Sequence, residues 1–169
     1  MHLIIDGYNV MHALPVGREW PGKSFQDRRN NFLERLRGYA AGTSHRISVV
    51  FDGGKGGDAQ GGVESAGGIE VTYSALGVEA DHLIMGMIER ARAPGEILLV
   101  TSDKRVASHA HGLGASTARA DELVTCLMPG RGAAEDPGAA LERTLKGVLP
   151  QRASGARARP RSRDRLHLW

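Results

Sequence analysis

The chain has 169 residues, 41% hydrophobic and 24% charged, with a single cysteine and a formal net charge of +3. A chain of this length buries roughly two thirds of its unfolded surface in one core without disulfides or a structural metal, and no apolar run approaches the ~20 residues that a membrane span needs. The basic excess is local: residues 150–169 hold six of the 22 Lys and Arg and one of the 19 acids, which leaves 16 against 18, net −2, in residues 1–149.

Leu3-Ile4-Ile5 is a short apolar run that ends abruptly in Asp6-Gly7-Tyr8-Asn9. Such a run reads as a central strand of a parallel sheet, covered on both faces, with Asp6 delivered to its edge. It follows Met1 directly, so there is no room for a signal peptide, and a cytoplasmic protein is expected. Residues 11–23 contain Pro15, Gly17, Pro21 and Gly22 and read as a loop. Ser24, with Asp27 three residues on, predicts a capping box, and Phe25, Phe32, Leu36 and Tyr39 recur at helical spacing up to Gly42.

Ile47-Ser48-Val49-Val50-Phe51 is a second strand, again ending on a carboxylate, Asp52. Residues 53–68 include eight glycines and read as a flexible surface loop in which Lys55 is a candidate substrate contact. Gly54-Lys55-Gly56-Gly57-Asp58-Ala59 formally matches a dinucleotide fingerprint, but the glycines that follow forbid the helix this motif requires, so no nucleotide cofactor is expected.

Residues 69–73 are a third strand and 79–92 a helix with Ala80, Leu83, Ile84, Met87, Ile88 and Ala91 on one stripe. Asp81 sits on the shoulder of that stripe. Glu79 lies about 200° away on a regular helix, so the two cannot aim at one point. The fourth strand, Ile97-Leu98-Leu99-Val100, ends in Thr101-Ser102-Asp103-Lys104. A short helix to Gly112, a brief strand over 115–118 and a helix over 121–128 follow. Cys126, in an apolar run, reads as a buried, inert thiol. Asp136 and Pro137 open a last helix, and beyond Pro150 the composition is too poor in apolar residues to order itself.

Strands alternating with helices predict an α/β fold with a mostly parallel central sheet, whose ligands bind outside the carboxyl ends of the strands. Asp6, Asp52 and Asp103 all fall there, and Asp81 opens the helix leaving the third strand. Carboxylates ~4 Å apart repel by about 4 kcal/mol at an effective dielectric of 20, so their convergence calls for a cation. Asp and Asn oxygens suit Mg²⁺ or Mn²⁺, and no Cys/His set has zinc spacing. Such a metal on an open rim suits phosphodiester hydrolysis by an activated water. Each Asp is also a plausible helix cap, and Asp52 reads equally as part of a turn.

Asp6-Gly7-Tyr8-Asn9, Val49-Val50-Phe51-Asp52, Glu79-Ala80-Asp81 and Thr101-Ser102-Asp103 together resemble the YacP-like NYN-domain family, relatives of PIN and FLAP nucleases, over residues 3–149. The resemblance implies a PIN-like three-layer fold, a nuclease domain over 1–149 and divalent-metal endoribonuclease activity on RNA, in some members on messenger RNA in association with ribosomes. By position, it implies Asp6, Asp81 and Asp103 as catalytic metal-binding carboxylates, with Asn9 in support and Asp52 as a further candidate ligand. Glu79 stands one residue closer to Asp81 than the family pattern has its glutamate, so no role carries over to it. Ser102, Lys104 and Arg105, at a helix start, are candidate phosphate contacts, with solvated surface charge as the alternative. The arginine tail is either a nonspecific RNA grip or an inert extension. Two rivals stand beside the nuclease: a catalytically silent RNA- or ribosome-binding module, and a haloacid-dehalogenase-like phosphatase, which wants a second Asp where Tyr8 stands.

Overall fold

The computed structural model describes residues 1–15, 24–53 and 61–128. The predicted last helix, the arginine tail, Lys55 and the fingerprint over 54–59 lie outside the described residues. No described helix is long and apolar enough to cross a membrane.

The elements run β1 (His2–Asp6), α1 (Gly7–Ala13), α2 (Phe25–Ala41), β2 (Arg46–Phe51), β3 (Gly62–Ala66), β4 (Ile69–Tyr73), α3 (Ala80–Glu89), β5 (Ile97–Val100), α4 (Lys104–Gly112), β6 (Ser116–Ala118) and α5 (Ala120–Leu127). The strands form one six-stranded sheet in the order β3-β4-β2-β1-β5-β6. All neighbours are parallel except β3, which pairs antiparallel to β4 at the edge. The central strands are apolar on both sides because both sides are covered. Leu3, Ile5, Val49, Phe51, Leu98 and Val100 face the core shared with α1, α2 and α5. Ile4, Val50, Ile97 and Leu99 face Ile84 and Ile88 of α3 and Val106 and Ala110 of α4. Full burial of each such isoleucine contributes about 1.5–3 kcal/mol, enough to hold α3 at a fixed height over the sheet.

Three departures from the sequence reading concern α1, the glycine-rich stretch and the single cysteine. The loop expected over 11–23 begins later, because α1 starts at Gly7 with Asp6 as its N-cap, and buries Val10 and Met11. Gly7 is thus the first residue of a helix. It has no positive φ, and its missing side chain makes room for the Phe51 ring, with which a Cβ would collide. The glycine-rich stretch is not all loop: β3 occupies its second half, joined to β4 by Gly67-Gly68 with φ of 60° and 79°. That two-residue link has the left-handed backbone of a hairpin turn, which only glycine adopts cheaply. Cys126 is half-buried rather than enclosed.

Candidate active site

From β1 the chain moves outward to β2, and after β4 it crosses back over the sheet through α3 to β5 on the other flank of β1. The strand order thus reverses at β1 and β5, where open α/β sheets form their ligand crevice. Ile5 pairs with Val100, so Asp6 and Thr101 leave the sheet side by side.

Asp6 is 3% exposed. Its Oδ1 accepts from the Asn9 backbone N–H at 3.2 Å, and its Oδ2 accepts from Asn9 Nδ2 at 2.5 Å and from the Thr101 hydroxyl at 3.1 Å. Thr101 Oγ1 in turn accepts from the backbone N–H of Asp103 at 3.1 Å, so one buried hydroxyl links the ends of β1 and β5. Asp103 caps α4: its Oδ1 accepts from the backbone N–H groups of Arg105 at 2.7 Å and Val106 at 3.2 Å. Asp81 stands in the first turn of α3, and its Oδ2 pairs with Arg105 Nη2 at 2.9 Å.

The electrostatics tie the three together. Burial pushes the Asp6 carboxyl above the usual carboxylate range; the hydrogen bonds from Asn9 and Thr101 pull it down, and the charge of Asp81 adds to the rise. Asp81 is also raised, first by burial and then by the charge of Asp103, with Arg105 opposing. Among the described residues, none of the groups acting on Asp6 is cationic.

The other expected residues divide. Asn9 gives both its nitrogens to Asp6 and orients it. Ser102 Oγ accepts from the Ala120 backbone N–H at 3.3 Å, which ties it to the start of α5. Lys104 is exposed at the start of α4, beside Arg105. Asp52 directly follows β2, its charge acts on the Tyr8 phenol, and it is not among the charges acting on Asp6 or Asp81. Glu79 is not within the helix but is the N-cap residue of α3, in extended conformation, and its charge raises Asp81. Thr101 belongs to the site and was quoted in the sequence reading only as part of the Thr-Ser-Asp motif; its signal was a hydroxyl at the last buried step of an apolar strand.

Among the described residues, no three carboxylate, histidine or cysteine groups stand close enough to hold one metal ion as their side chains lie. A cleft of about 500 Å³ runs from Asp81 and Arg105 between α3 and α4 toward Met85 and His109.

Fold and rim together define a PIN-like α/β domain with aspartates gathered at the carboxyl edge of its sheet. The chain belongs to the YacP-like NYN domain family, whose model matches residues 3–139. Over 50 residues it is 34% identical to the uncharacterized protein YacP of Bacillus subtilis (strain 168), a stretch covering 30% of this chain and only 29% of the relative's length. The crystal structure of Rae1 (YacP) from Bacillus subtilis superposes with a TM-score of 0.61 at 23% identity, covering 87% of this chain and 78% of that one. A point variant of it gives the same TM-score over 86% and 79%. At that identity the structural likeness speaks for the fold.

Proposed function

We propose that the chain is a cytoplasmic, Mg²⁺- or Mn²⁺-dependent endoribonuclease that hydrolyses single-stranded RNA, messenger RNA in the first place and with the ribosome as a partner, with water as nucleophile. The observation that carries this is the hydrogen-bonded chain Asp6–Thr101–Asp103 at the sheet's switch point, with Asp81 within electrostatic reach of both aspartates. The donors fit the metal in kind, being hard oxygens. They also fit in charge, because the hydrogen-bond partners of the nearly enclosed Asp6 among the described residues, Asn9 and Thr101, are neutral.

Asp6, Asp81 and Asp103 are the residues that would hold such an ion. A bound Mg²⁺ or Mn²⁺ acidifies a water and offsets the charge built up in an in-line displacement. Asn9 and Thr101 fix the Asp6 carboxylate, and the N–H groups of α4 fix Asp103 through its Oδ1. Asp81, paired with Arg105 at 2.9 Å, would have to leave it to join them, and Arg105, with Lys104, would then be free for the substrate phosphate. Residues 1–149 act as the nuclease domain, and the arginines of 150–169 add a salt-sensitive hold on RNA.

Cleavage of a single-stranded RNA with Mn²⁺ tests the reading. Asp6→Asn and Asp103→Asn are expected to lose it, and variants that cut as well as the parent sink the assignment. The Asp81–Arg105 ion pair favours one alternative, a silent RNA-binding module whose rim is closed by its own arginine. RNA bound equally well with chelator and never cleaved decides for it.

A further inference from the structure

The carboxyl rim of the sheet has a second half, made of rings instead of carboxylates. Phe51 and Tyr73, at the ends of β2 and β4, stack at 5.8 Å and 19°, and the Arg29 guanidinium lies 5.9 Å and 5.4 Å from their ring centres. Tyr8, two residues beyond Asp6, meets Phe51 edge-on at 5.5 Å and stacks flat on Phe25 at 5.4 Å and 16°. The series runs from the enclosed Phe51 to Phe25, which is 41% exposed.

Phe25 was expected on the buried stripe of α2, with Phe32, Leu36 and Tyr39, all of which are buried. It is instead the helix's first residue, and the helix start does not need its ring, because Ser24 and Asp27 complete the capping box themselves. A phenylalanine kept in water, held flat against a tyrosine whose helix is capped by the central carboxylate of the rim, is arranged as a surface.

We infer that Phe25 and Tyr8 form a base-stacking platform for the single-stranded RNA on the β2 side of the scissile phosphate. The inference rests on the proposed nuclease function and deepens it. Stacking suits this place because the neighbouring rim is acidic and repels phosphates, so the strand needs an attraction that does not act through its charge. Every base has a π-face, so the platform selects unpaired over paired nucleotides without reading sequence.

The test measures binding of a short single-stranded RNA carrying 2-aminopurine, in chelator so that nothing is cut, with cleavage of the same RNA followed separately in Mn²⁺. Phe25→Ala is expected to weaken binding by about 5- to 150-fold, the span of one base–aromatic stack, and Phe25→Trp to restore it. An abasic nucleotide at the stacked position is expected to weaken the parent equally and to leave Phe25→Ala unchanged. Melting curves check that both variants fold. If the parent binds and cleaves while Phe25→Ala binds as well as the parent, or the abasic RNA binds as well as the intact one, the platform is refuted and the nuclease stands. A parent that neither binds nor cleaves RNA overturns both.

Discussion

Arg105 is the sharpest test of how the rim handles a cation. Its guanidinium lies 2.9 Å from Asp81 and is the one cation paired with the three aspartates among the described residues. A metal at the proposed site has to take Asp81 from it. Opposite charges ~4 Å apart attract by about 4 kcal/mol at an effective dielectric of 20 but by about 1 kcal/mol in bulk water. The Arg105 side chain is 78% exposed and that of Asp81 27%, so the pair belongs near the aqueous limit. Exposed pairs of this sort contribute about 0.2–1 kcal/mol. Arg105→Gln is therefore expected to tighten Mn²⁺ binding to the RNA-free protein by about 1.4- to 5-fold, read by calorimetric titration at low salt. The same variant is expected to bind RNA less well, because the guanidinium released by the metal no longer reaches a phosphate. Lys104→Gln removes a neighbouring charge that pairs with none of the three rim aspartates, so it controls for the general field and should change Mn²⁺ affinity less. Unchanged or looser Mn²⁺ binding in Arg105→Gln refutes the competition.

Other expectations follow from the same contacts. Thr101→Val keeps the volume but strips the donor to Asp6 and the acceptor for the Asp103 N–H. It is expected to cost about 1–3 kcal/mol in denaturant unfolding and more than tenfold in kcat, and a fully active, fully stable variant contradicts the linked geometry. Gly7→Ala drives a methyl into the Phe51 ring, with an expected loss of about 1–3 kcal/mol from overpacking; a Tm equal to the parent's excludes that contact. The Asp81 carboxyl is raised above its unfolded value, so between the two pKa values the folded state holds more protons than the unfolded one, and rising pH destabilises the metal-free parent. Melts of parent and Asp81→Asn should coincide best below the unfolded pKa, with the balance moving toward the Asn variant as pH climbs through the folded pKa. A gap that moves the other way means that the Arg105 pair outweighs burial and the Asp103 charge.

Much of the fold was legible because the signals were local. The alternation of faces in Leu3-Ile4-Ile5 and Ile97-Leu98-Leu99-Val100 needs two helical layers, and the Ser24–Asp27 box marks its helix without any tertiary contact. The two missed elements are short and hidden by other signals. The seven-residue α1 starts inside the motif that had been read as chemistry, with Asp6 serving as cap. β3 is fully exposed, so it lacks the apolar alternation that marks a strand; the Gly67-Gly68 pair before Ile69 was its only sign. At the site, positions along the rim could be read from strand ends, but side-chain direction could not. Asn9 turns back on Asp6 as its expected supporting role requires, though through a helix start and not a loop turn; that Asp52 lies toward Tyr8 and that Arg105 reaches Asp81 rather than solvent depend on contacts between segments 24 or more residues apart.

Capping and catalysis looked like competing explanations for these aspartates, yet the geometry lets one residue do both. In Asp103 both cap bonds fall on Oδ1, which leaves Oδ2 outside them. In Asp6 the backbone cap bond also falls on Oδ1, while Oδ2 takes the side-chain donors of Asn9 and Thr101. Each cap fixes the carboxylate plane, and the positive end of the helix dipole partly offsets its charge before any cation arrives. Asp81 differs in kind: it sits in the first turn of α3 without capping it, and its partner is an exposed side chain. Two carboxylates are thus held by backbone, and the third is held by a guanidinium that can let go. Under the proposed metal site, the fold itself would prepare two ligands, and occupancy of the rim would turn on the third.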